Sequence, residues 1–132
     1  MADLATTVAV PQALPMSQAA ALLQVGPAAF SLIEAAELEL GQRVLVTGAG
    51  GALGLALVEL AARAGAHVVG SAHGAAKRER ALELGAAQAV DYPDVVAGDA
   101  FDVVFDGVGG QVGADAFAIG SAGTATISAR SW

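Results

Sequence analysis

Val44-Leu45-Val46-Thr47-Gly48-Ala49-Gly50-Gly51-Ala52-Leu53-Gly54 runs from an apolar strand through a glycine-rich turn into an amphipathic helix that continues to Ala64. That order is what holding a nucleotide pyrophosphate requires. Glycines let the backbone turn sharply and admit a phosphate without interference from a Cβ, and a helix N-terminus presents free N–H groups at the positive end of its dipole. Gly48, Gly51 and Gly54 are read as the positions of close approach and of tight strand-to-helix packing. Ala52 and Leu53 are read as amide donors at the helix start, and Ala49 and Gly50 as residues that shape the turn. The spacing G-x-G-x-x-x-G differs from the strict G-x-G-x-x-G fingerprint, so the flanking sequence has to carry part of the reading.

Outward from the turn, strands and helices alternate. Strand Arg43–Thr47 precedes helix Ala52–Ala64, which Gly65 stops, and strand His67–Gly70 precedes helix Ala75–Leu84, which Gly85 closes. Strand Ala87–Asp91, an irregular connection Tyr92–Ala100, strand Phe101–Phe105, a short helix Val112–Phe117 and strand Thr124–Ser128 complete the pattern. It predicts a doubly wound, Rossmann-like α/β domain: a mostly parallel sheet of about five strands with helices on both faces. The right-handed crossover rule puts the glycine turn at the carboxyl edge of that sheet, where ligands bind. Residues 1–16, with Pro11 and Pro15, read as a linker, residues 17–42 as a helical lead-in and residues 43–132 as the dinucleotide-binding domain. Within the lead-in, Ser17 caps a helix Gln18–Leu23, Gly26-Pro27 breaks it, and a second helix spans Ala28–Ala36.

Composition narrows the function classes. The 132 residues are 55% hydrophobic and 14% charged, as suits Val-rich parallel strands and Ala-faced helices. A net charge of −7 disfavours a general nucleic-acid surface, although five of the six basic residues lie between Arg43 and Arg80. Without cysteine there is neither a disulfide framework nor a Cys-based zinc site, and two isolated histidines give no metal-ligand spacing. No apolar run is long enough to span a membrane, the N-terminus lacks the basic region of a signal peptide, and a cytoplasmic location is expected. The serines have no His–Asp partner pattern and the carboxylates are not paired, so no catalytic residue is assigned. A short-chain dehydrogenase reading needs Tyr-x-x-x-Lys, and Tyr92 is followed by Pro-Asp-Val-Val.

Several further segments occur in a recognisable order: Ala19-Ala20-Ala21-Leu22, Gly41-Gln42-Arg43, Gly65-Ala66-His67-Val68-Val69-Gly70, Lys77, Leu84-Gly85-Ala86-Ala87, Val90-Asp91-Tyr92, and Phe101 through Gly110. Together with the glycine turn they resemble the cofactor-binding domain of the medium-chain dehydrogenase/reductase family, in its zinc-independent, quinone-oxidoreductase-like branch. The resemblance implies a nicotinamide dinucleotide as ligand, and hydride transfer to an activated C=C or a quinone as the parent reaction. It also implies a GroES-like catalytic domain that this chain lacks, so that the chain is expected to be a truncated cofactor domain, and a homodimer built on edge strands. Two other readings remain: a non-catalytic fragment or assembly module, and an enoyl-reductase segment of a larger synthase.

The cofactor is decided at the end of the second strand. An NAD binder has a carboxylate there for the ribose hydroxyls, and Gly70-Ser71-Ala72-His73 offers none before Glu79. NADP(H) is therefore preferred, with NAD(H) possible. Ser71 can donate a hydrogen bond, and the resemblance implies that Lys77 is a phosphate-binding lysine, whereas Arg78 and Arg80 read as a solvated helix face. By the same resemblance Tyr92 lies near the adenine ribose phosphate, against a bland alternative as a surface residue capping its strand. The resemblance likewise implies that Gly107, Val108 and Gly109 line the adenosine-ribose-to-nicotinamide side of the cleft, where close approach of ligand and backbone suits glycine. Asp106 either caps that turn or is solvated, and Asp102 is structural. Ala28 stands where the family often has a threonine near the nicotinamide.

Overall fold

The computed structural model describes residues 12–13, 15–91, 94, 101–108 and 125–128. Among them are helix α1 (Met16–Ala36), strand β1 (Arg43–Thr47), helix α2 (Ala52–Arg63), strand β2 (His67–Ser71), helix α3 (Ala75–Glu83), and strands β3 (Gln88–Val90), β4 (Val103–Asp106) and β5 (Ala125–Ser128). The strands form one sheet in the order β3-β2-β1-β4-β5, and every pairing is parallel. Strand order reverses between β1 and β4, the place in such sheets where the carboxyl ends open a crevice.

Side chains alternate across the sheet, so its two faces can be read from residue parity. Val44 and Val46 of β1, Val68 of β2, and Val103 and Phe105 of β4 face a core shared with Ala29 and Leu32 of α1, Leu57, Val58 and Ala61 of α2, and Ala81 of α3. Leu45, Val69 and Val104, with Phe101, form a second buried cluster on the opposite face. Burial on both faces explains why the strands read as nearly unbroken apolar runs. All three described helices belong to the first face. The helix expected over Val112–Phe117 lies outside the described residues.

The largest departure from the sequence reading is α1. Gly26-Pro27 does not end a helix: one helix runs through Pro27 from Met16 to Ala36, and Ser17 lies inside it, with no side-chain cap at its start. Proline removes a single backbone donor and costs about 3 kcal/mol in an isolated helix interior. Downstream, Ala29, Leu32, Ile33 and Ala36 recur at i, i+3, i+4 and i+7 and pack on the core. Burying Leu32 and its neighbours, at ~1.5–3 kcal/mol for each large side chain, offsets the local penalty. The helix then stops with Glu37 in the left-handed region at φ 48°.

The glycine stops of α2 and α3 are as expected. Gly65 (φ 88°) donates to the Ala62 carbonyl and Ala66 to Ala61, while Gly85 (φ 116°) donates to Leu82 and Ala86 to Ala81. Both are Schellman closures, and each delivers the chain directly into the following strand.

Candidate functional site

The carboxyl edge is built around the β1–α2 turn. Gly48 takes φ 68°, a conformation that a side chain resists, and its carbonyl accepts the N–H of Gly51 at 3.1 Å. Ala49 is buried and donates its N–H to the Ser71 carbonyl at 3.0 Å, fastening the turn to the end of β2. Gly54, in the first turn of α2, packs against Gly48 so closely that a Cβ would collide with the Gly48 carbonyl oxygen and stand 2.8 Å from Ala49 Cα. The helix thus starts directly on the turn. Its N-cap is Gly51, which offers no side-chain cap, and the first amide to bond back is Leu55 N–H to the Gly51 carbonyl at 2.9 Å. The amides of Ala52, Leu53 and Gly54 precede that ladder and point out of the helix end with its positive dipole.

On one flank lies the end of β4. Thr47 and Asp106 are register partners in the parallel ladder, and both are buried. Thr47 Oγ1 donates to Asp106 Oδ1 at 2.8 Å, Gly107 N–H donates to Thr47 Oγ1 at 3.0 Å, and Val108 N–H donates to Asp106 Oδ1 at 3.1 Å. Asp106 is therefore a turn cap, resolving the two alternatives open in the sequence. The turn it holds covers the glycine loop: a Cβ on Gly48 would meet Val108 Cγ2 at 3.0 Å, and a Cβ on Gly107 would meet the Thr47 carbonyl oxygen at 2.9 Å.

On the other flank are the end of β2 and the start of α3. Ser71 is fully buried, on the sheet face of Thr47, and its Oγ has no hydrogen-bond partner among the described residues. Lys77 is exposed, and its aliphatic stem lies beside Gly50. Arg78 points elsewhere: Nη1 reaches the Ala72 carbonyl at 3.3 Å and Asp91 Oδ2 at 3.6 Å. Asp91 also stands 3.5 Å from His73 Nδ1, and Arg80 pairs with Glu83 at 3.0 Å.

The structure thus brings Gly48, Ala49, Gly51, Ala52, Leu53, Gly54, Lys77, Gly107 and Val108 to one edge, with Ser71 beneath them. Tyr92 and Gly109 lie outside the described residues. Ala28 lies within α1. Sequence reasoning missed Thr47 and Asp106 as a pair and Asp91 as the counter-ion of Arg78. The available signal was a polar residue closing each of two apolar strands.

A dinucleotide fits these residues. The uncapped amides at the start of α2 are donors of the kind a pyrophosphate uses, and the helix end is open at Gly51, where a Cβ would meet only the Gly48 carbonyl oxygen at 3.6 Å. The chain has no cysteine, and among the described residues there is no group of three or more His, Cys, Asp or Glu that could hold a metal ion. Among the described residues, no helix is long and apolar enough to cross a membrane.

The sequence profile of the zinc-binding dehydrogenase family matches residues 52–128. A quinone oxidoreductase-like protein 2 homolog from Nematostella vectensis is 39% identical over 117 residues, covering 78% of this chain and 31% of that protein. The quinone oxidoreductase of Thermus thermophilus, solved also in its complex with NADPH, is similar at a TM-score of 0.78 and 29% identity, over 89% of this chain and 41% of the other. A mycobacterial protein complexed with NADPH is similar at a TM-score of 0.72 and 29% identity, over 81% of this chain and 36% of the other. The chain spans about a third of the length of the curated relatives it matches.

Proposed function

Because the chain belongs to the zinc-binding dehydrogenase family, on the quinone-oxidoreductase-like side of the medium-chain dehydrogenases and reductases, we propose that its carboxyl edge binds a nicotinamide dinucleotide, NADPH in preference to NADH. The observation that carries this reading is the uncapped start of α2 at Gly51, where an added Cβ would meet nothing closer than the Gly48 carbonyl oxygen at 3.6 Å. In it, the amides of Ala52, Leu53 and Gly54 hold the pyrophosphate, while Gly107 and Val108 form the opposite wall. The NADPH complexes of the two similar solved structures support the same ligand.

Two features favour the phosphorylated cofactor. Strand β2 ends in Ser71 with no carboxylate to repel a ribose 2′-phosphate, and Lys77 is the α3 cation that makes no ion pair or hydrogen bond among the described residues. When bound, the cofactor supplies the hydride. This chain's residues orient it and shield it from water, and a quinone or an activated C=C is the acceptor in the parent protein. The substrate contacts then belong to segments of the relatives that this chain does not span.

Titration with NADPH and NADH, followed by nicotinamide fluorescence, tests the reading. Failure of both to bind at millimolar concentration overturns it. Lys77→Ala is expected to weaken NADPH roughly tenfold, as loss of one charge-assisted phosphate contact does, with NADH nearly unchanged. Equal loss for both nucleotides overturns the preference.

A further inference from the structure

Gly50 does not take a positive φ, so its backbone does not require glycine. What occupies the space of its missing side chain is Lys77. A Cβ on Gly50 would stand 2.6 Å from Lys77 Cδ, 2.9 Å from Cγ and 2.7 Å from Cβ. Rotation about the lysine side-chain bonds relieves the first two contacts. It cannot relieve the third, because Lys77 Cβ is fixed by the backbone of α3. A methyl group at position 50 therefore pushes the first turn of α3 away from the glycine turn.

The neighbouring cations make that placement significant. Arg78 is committed to Asp91 and to the Ala72 carbonyl, and Arg80 to Glu83. Lys77 makes no such contact among the described residues, and its ammonium lies two bonds beyond a Cδ that rests against Gly50.

We propose that Gly50 is the positioning residue for Lys77 and thereby sets the discrimination between NADPH and NADH. By lacking a side chain, it lets α3 close onto the β1–α2 turn and lays the lysine stem along the mouth of the cleft. The ammonium is then held beside the ribose whose 2′-phosphate distinguishes the two cofactors. This rests on the dinucleotide reading above. It also changes the role of Gly50, which in the sequence only shaped the turn.

The test measures NADPH and NADH dissociation constants and thermal melting for the full chain, Gly50→Ala, Lys77→Met and the double variant. Lys77→Met keeps the stem and removes the charge. Each single variant is expected to weaken NADPH roughly tenfold while leaving NADH nearly unchanged, and the double variant to bind NADPH no worse than Lys77→Met alone. Equal weakening of both nucleotides by Gly50→Ala places its effect on the shared pyrophosphate and overturns the proposal. So does an unchanged NADPH-to-NADH ratio in Lys77→Met, a measurement that does not depend on the Gly50 variant. Loss of cooperative melting in Gly50→Ala makes the position structural and overturns it too. Failure of the unsubstituted chain to bind either nucleotide is a different result, because it removes the dinucleotide reading itself.

Discussion

The glycine turn has two neighbours that hold it by different means. Toward β4, Thr47 and Asp106 are buried and joined by a short hydrogen bond, and the same two side chains fix the amides of Gly107 and Val108. Toward α3, the contact is an exposed lysine stem resting on a glycine. The buried flank fixes geometry, because each polar group in it is expensive to leave unpaired. The exposed flank offers charge, which water and salt can moderate. In the proposed function, the first serves what all dinucleotides share and the second serves what distinguishes them.

The contrast can be broken at its hinge. Gly54→Ala puts a methyl into the Gly48 carbonyl, where backbone faces backbone and nothing flexible can yield. Thermal unfolding should show a loss of roughly 3 kcal/mol, near the upper end for overpacking. A variant as stable as the original chain would mean that α2 can slide off the turn freely. Asp106→Ala comes next. It strands the Thr47 hydroxyl and the Val108 amide, at a cost of about 2 kcal/mol, and by loosening the Gly107 turn it should weaken NADPH and NADH alike. A selective loss of one nucleotide would assign discrimination to the wrong flank. The smallest effect is expected from Asp91→Asn. It releases Arg78 from its counter-ion, and NADPH should tighten by roughly threefold at low ionic strength, in the range of partly exposed ion pairs. The gain should fade in high salt, and persistence there would argue against a charge effect.

What was legible in the sequence follows the range of the interactions. Among the described residues, the alternation of strands and helices, the glycine stops at Gly65 and Gly85, and the turn at Gly48 are local, and they appear within a residue or two of where the sequence places them. Helix α1 departs from the sequence reading because a local signal, Gly26-Pro27, competes with packing of Ala29 and Leu32 on a sheet that lies further along the chain. Lys77 and Arg78 are adjacent cations with the same charge. A rotation of about 100° around the helix axis sends one to the glycine turn and the other to Asp91. That difference exists only once α3 is seated. The Thr47–Asp106 pair is further still from legibility, since it depends on the register between β1 and β4.

That pair also has a consequence for the order in which the molecule is assembled. Thr47 and Asp106 are 59 residues apart in the chain, whereas β1, α2 and β2 form a contiguous unit whose ends pair at Thr47 and Ser71. Contacts of long sequence separation carry the larger loop-closure entropy and are gained late in folding. The βαβ unit can therefore acquire its glycine turn before β4 arrives, but the second wall of the cleft exists only after the sheet has closed across β1. In the proposed function, ligand affinity therefore reports whether β4 has closed onto β1, and a partly folded chain would carry the glycine motif without the cleft.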